Sequence, residues 1–72
     1  MSNVKANTVK IFGTTNGIIV TGTNGGEKIF VYGTDGKLLY SDQSHGQDVN
    51  ISLPVDNIYI VKVDHQTIKI GL

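Results

Sequence analysis

Between Thr8 and Ile70, apolar and polar residues alternate at every second position, in short runs broken by small clusters of glycine, asparagine and aspartate. Alternation of this kind turns one face of an extended chain toward a core and the other toward water, whereas a helix needs an apolar stripe at spacings of three and four. No stretch carries the helical spacing over a useful length. The pattern predicts strands at Thr8–Phe12, Ile18–Thr21, Lys28–Tyr32, Leu38–Ser41, Val49–Leu53, Ile58–Val63 and Thr67–Ile70.

The breaks between these runs are rich in turn chemistry. Asn16-Gly17 and Asn24-Gly25-Gly26 stand where positive φ angles are cheap, because glycine has no Cβ to clash and asparagine tolerates the left-handed region. Asp35-Gly36, between two apolar runs, marks the clearest hairpin, and Asp64, His65 and Gln66 supply another turn. Seven short strands at this spacing predict an all-β fold, a small immunoglobulin-like antiparallel β-sandwich, with a closed barrel as the alternative. The expected core takes one face of each strand: Val9 and Ile11; Ile18 and Val20; Ile29 and Val31; Leu39; Val49, Ile51 and Leu53; Tyr59, Val61 and Val63; Ile68 and Ile70. Phe12, Ile19, Phe30, Tyr32, Ile58 and Ile60 fall on the opposite faces, where they either cover sheet edges or form a contact surface.

Leu53, Pro54, Asn57 and Tyr59 read as a structural corner. Proline has no N–H for a ladder and so ends the fifth strand, and Asp56-Asn57 turns the chain through a left-handed residue into the sixth. A tyrosine near the start of that strand in a Greek-key sandwich buries its ring and bonds its hydroxyl to nearby backbone.

Length and charge bound the rest. At 72 residues the chain holds one core, so residues 1–7 read as a linker and 8–72 as a single domain. Six basic and six acidic side chains give a net charge of zero, without the basic field that nucleic acid or an anionic membrane attracts. No run is long and apolar enough for a membrane span, and no basic segment followed by an apolar run opens the chain as a signal peptide would. Without cysteine there is no disulfide, no thiolate metal site and no cysteine nucleophile.

Chemistry-bearing groups are few. His45 and His65 fall in loops without a second ligand at metal-binding spacing. Asp42, Ser44, His45 and Asp48 form a polar loop that, converging, would offer a small hydrolase site or a calcium loop, but no glycine elbow or Asp-x-Asp alternation accompanies them. The glycines of Gly22–Gly26 lack the lysine and hydroxyl of a phosphate loop. Asn50-Ile51-Ser52 has the form of a glycosylation triplet but falls within a strand. The expectation is a non-enzymatic domain with no cofactor and no metal.

Three segments in order, EKIFVYGTDGKLLYS, ISLPVDNIYIVKV and QTIKIGL, resemble the C-terminal β-sandwich domains of exported Bacteroidetes proteins, which include type IX secretion sorting domains and uncharacterised relatives. The resemblance runs from about Val9 to Leu72. Val31, Tyr32, Gly36 and Lys37 stand where such domains carry a V-x-V-Y strand, a glycine-ended turn and a basic residue. Leu53, Pro54, Ile58, Tyr59, Val61 and Val63 match the leucine-proline turn and the following I-Y-x-V-x-V strand, with Asn57 where glycine is usual. The chain departs from sorting domains after Phe12, which leads into Gly13-Thr14-Thr15 rather than Pro-Asn-Pro, and at Ile70-Gly71-Leu72, which replaces a basic tail.

The resemblance implies a C-terminal accessory domain of a secreted or cell-surface protein, acting in secretion, surface attachment or protein contact. Its implied partners are the parent protein or the export and surface machinery, with self-association through edge strands as a further route; Val9–Phe12 and Thr67–Ile70 are the expected edges. It also implies a left-handed Asn57. The competing expectation is an adhesin-like or carbohydrate-binding sandwich in which Phe30, Tyr32 or Tyr40 stacks on sugar rings.

Overall fold

The computed structural model describes residues 9–72, and the expected linker over residues 1–7, with the strand start at Thr8, lies outside them. Within them are β1 (Lys10–Gly13), β2 (Gly17–Thr21), β3 (Lys28–Gly33), β4 (Leu38–Gln43), β5 (Val49–Ser52), β6 (Ile58–Val63) and β7 (Gln66–Gly71). All pairings are antiparallel, in a three-stranded sheet of order β1-β2-β5 and a four-stranded sheet of order β4-β3-β6-β7. The fold is all-β, as the alternation requires, and its two sheets form a small sandwich. The fourth strand joins the sheet of β3 and β6 rather than that of β5, which distinguishes it from the constant-type immunoglobulin arrangement.

Alternation decides what each sheet buries. Ile18 and Val20 from β2 and Ile51 from β5 meet Ile29 and Val31 from β3 and Tyr59, Val61 and Val63 from β6, with Leu53 closing one end. Edge strands contribute half-buried Ile11, Ile68 and Ile70. β1 and β7 are edges of opposite sheets, and Ile70 and Leu72 reach across to Gly13, where an added Cβ would stand 3.1 Å from Leu72 Cδ2. Gln66 Nε2 donates to the Val9 carbonyl at 3.2 Å, tying the same side together.

Three residues depart from the sequence expectation. Leu39 is not in the core but 48% exposed. A register shift pairs Val31 with Tyr40 and Tyr32 with Leu38, so Leu39 is the extra residue of a β-bulge and Tyr40 takes the place against the core. Asn57 does not take the left-handed conformation; Asp56 does, at φ 65°. The bend is placed one residue earlier because the chain must by then be extended: Leu72 N–H donates to the Asn57 carbonyl and Asp56 N–H to the Leu72 carbonyl. Gly17 is not a positive-φ residue either. It is buried inside β2, and a Cβ there would lie 1.9 Å from the Ile51 carbonyl oxygen, so glycine is required by the close approach of β5 and not by a turn.

Candidate interaction surface

β3 places Ile29 and Val31 inward, which forces Lys28, Phe30 and Tyr32 outward. Cross-strand partners share a face, so the outward set continues through Leu38 and Ser41 on β4, Ile58, Ile60 and Lys62 on β6, and Thr67 and Lys69 on β7. Tyr32 lies between Leu38 and Ile60, and Phe30 between Ser41 and Lys62. The Phe30 and Tyr32 rings are 6.3 Å apart at their centroids and tilted by 31°. Phe30, Tyr32 and Ile60 are half-buried by their neighbours, while Leu38 and Ile58 are each 48% exposed. The outer face of the larger sheet thus carries a contiguous apolar band bordered by three lysines. Among the described residues, the outer face of the smaller sheet has only the Phe12–Ile19 pair as apolar residues, beside Lys10, Thr21, Asn50 and Ser52.

The polar loop between β4 and β5 serves the fold. Ser44 is 1% exposed, and its hydroxyl donates to the Glu27 carboxylate, which also accepts N–H bonds from Asn24 and Gly25 at 2.8 Å each. Gly26 N–H donates to the Ser44 carbonyl and Ser44 N–H to that of Glu27, at 2.9 Å each. The Asn24 amide, then the Ser44 hydroxyl, bring the Glu27 carboxyl down to about 2. This latch joins two of the three connections that pass from one sheet to the other, β2 to β3 and β4 to β5. Thr23 reinforces it through its hydroxyl, 3.3 Å from the Gln47 carbonyl.

A serine whose proton is given to a stable carboxylate is not poised as a nucleophile beside His45. Asp42 instead accepts the Gln43 N–H and then the Tyr40 hydroxyl at 2.9 Å, which in that order hold its carboxyl below the ordinary range. Tyr40, pushed up by burial and then by Asp42, is on the core side of β4, away from the Phe30–Tyr32 pair. Asp48 and His65 are exposed. Among the described residues no group of three or more histidine, aspartate or glutamate side chains converges as a metal site would require, and no helix is long and apolar enough to cross a membrane.

Leu53, Pro54 and Tyr59 meet at the turn between β5 and β6. Tyr59 is 3% exposed and its hydroxyl donates to the Pro54 carbonyl at 2.6 Å, while Leu53 N–H donates to the Asn16 carbonyl. Asn57 contributes a side-chain bond to the Val55 carbonyl at 3.1 Å. In the β3–β4 hairpin, Gly36 has φ 86° and Asp35 Oδ1 accepts the Lys37 N–H at 3.0 Å. Hairpin and corner border an open groove of about 660 Å³ at that end of the sandwich, lined by Asp35, Leu39, Asp56, Ile58 and Leu72 among others.

Glu27 and the role of Gly17 were not singled out in the sequence, and Asp56 was named in the turn without being assigned the left-handed conformation. A turn rich in asparagine and glycine followed by glutamate was the available sign of the first, since consecutive loop N–H groups favour a carboxylate nearby. No family model matches this chain, and neither a curated protein nor a solved structure matches it.

Proposed function

We propose that this domain is a non-enzymatic accessory module of an exported or cell-surface protein, and that it works by protein contact. The observation that carries the reading is the outer face of the β4-β3-β6-β7 sheet, where Phe30, Tyr32, Leu38, Ile58 and Ile60 form one apolar band on a rigid support. Bands of this kind on small domains are places where a second surface docks. The resemblance to the C-terminal domains of exported proteins supplies the setting.

The test removes the domain from its parent in the native host and separately appends it to a periplasmic reporter. Loss of the parent from the surface, or surface display of the reporter, supports a role in export or attachment. A truncated parent at normal surface levels, with a reporter that stays in the periplasm, overturns that role.

A second reading rests on the adjacency of Phe30 and Tyr32 on one face, which offers a short stacking platform for sugar rings. Binding to a glycan array that disappears on Phe30→Ala, with the fold retained, would establish it.

A further inference from the structure

Resting on the reading of the domain as a contact module, we infer that the outer face of the larger sheet docks a protein surface that is apolar at its centre and acidic at its rim. The outward positions of β3, β4, β6 and β7 hold Lys28, Lys62 and Lys69 and no aspartate or glutamate. These are three of the six basic residues in a chain of zero net charge. Asp35, Asp48 and Asp56 lie in loops, Asp64 sits in the β6–β7 turn beside Lys28 with its Oδ1 accepting the Lys28 N–H at 3.3 Å, Asp42 is turned to the other side of β4, and Glu27 is bound within its latch. Lys62 lies directly beside Phe30, and Lys69 beside Ile60. Each ammonium therefore stands next to the apolar band, where a partner carboxylate would meet it as the band is covered.

The same arrangement argues against other occupants. A second copy laid on this face by two-fold symmetry would bring lysines of both copies into one interface without a carboxylate between them, and like charges brought together there oppose docking. A sugar platform works best with open ring faces and flanking hydrogen-bond groups, whereas here the rings are half-buried and three aliphatic side chains surround them. Aromatic anchors within aliphatic surroundings, rimmed by charge, are what protein interfaces use.

The experiment titrates the isotope-labelled chain with two synthetic peptides, one alternating glutamate with leucine and one alternating lysine with leucine, and with an oligogalacturonate. The glutamate peptide is expected to shift the amides of Phe30, Tyr32, Ile60 and Lys62, and to bind more weakly as salt rises. The lysine peptide should leave that face unchanged. Lys62→Glu combined with Lys69→Glu alters two exposed side chains, so the amide spectrum should report an intact fold while the preference between the peptides shifts toward lysine about tenfold or more. Equal response to both peptides, no response to either, or shifts confined to the edges β1 and β7 overturns the inference. A response to the oligogalacturonate alone assigns the face to acidic sugars, and concentration-dependent shifts without any probe assign it to a second copy; both also overturn it. None of these outcomes decides the deletion experiment, which tests the accessory role independently.

Discussion

Asp56 and Tyr59 bear the local demands of the corner, and they do so differently. Asp56 has φ 65°, a region where a β-branched side chain crowds its own backbone. Asp56→Val should therefore cost about 1–2 kcal/mol. Asn57→Gly should cost about 0.5–1 kcal/mol, because it adds backbone freedom to a residue that does not use it. Chemical denaturation of the two variants checks the order; a larger loss at Asn57 would mean the bend is placed elsewhere. Tyr59 donates from a buried ring to the Pro54 carbonyl, so Tyr59→Phe should lose about 0.5–1.5 kcal/mol and keep its fold. An unchanged melting temperature would count against the bond.

Among the elements, two of the three connections between sheets are held by Glu27, and that dependence is visible in pH. Its carboxyl is at about 2 in the fold against an ordinary value of 4.5, so the unfolded chain binds the proton more readily between those values. The bonds to Asn24, Gly25 and Ser44 therefore stabilise fully above about 4.5, and the contribution is lost as pH falls toward about 2. Because Glu27 is partly exposed, screening leaves about 1 kcal/mol of this. Glu27→Gln should lower stability by that amount at neutral pH and flatten the acid limb of a stability profile; an unchanged limb would remove the latch's role. The strands and the hairpin at Asp35-Gly36 were legible because alternation and turn chemistry are local. Glu27 was legible only in part, because the Asn24 and Gly25 donors are local but the Ser44 hydroxyl comes from a loop that meets it only when the sheets pack. Leu39 was assigned to the core for the same reason. The alternation of β4 is regular in sequence, and only the pairing with β3 inserts the bulge that moves Tyr40 inward. The outward Phe30, Tyr32, Ile58 and Ile60 were legible as a set, but the placement of three lysines around them needed the register of all four strands.

At the scale of the molecule, a sandwich this small depends on how its open sides are closed. β1 and β7 are unpaired edges of opposite sheets, and Ile70 and Leu72 bridge them over Gly13. Leu72 also exchanges backbone bonds with the corner through Asp56 and Asn57. Leu72→Ala should therefore cost about 2 kcal/mol, a large share of the stability of so short a domain, and should loosen corner and β1 together. Hydrogen exchange checks this: faster exchange at Asp56 together with the amides of β1 is expected, and a change confined to β7 would show that the side is closed by other contacts.

The strand order also sets a clock. β1–β2, β3–β4 and β6–β7 are neighbours in sequence and can meet within about 1–10 μs. β2 meets β5 by pairing Gly17 with Ser52, and β3 meets β6 by pairing Ile29 with Val63, each across about half of the chain. Long loops must close before either pairing is rewarded, so folding is expected on the millisecond-to-second scale despite the short chain. Stopped-flow refolding monitored by tyrosine fluorescence would measure it, and microsecond folding would mean that the three hairpins alone carry the rate-limiting structure.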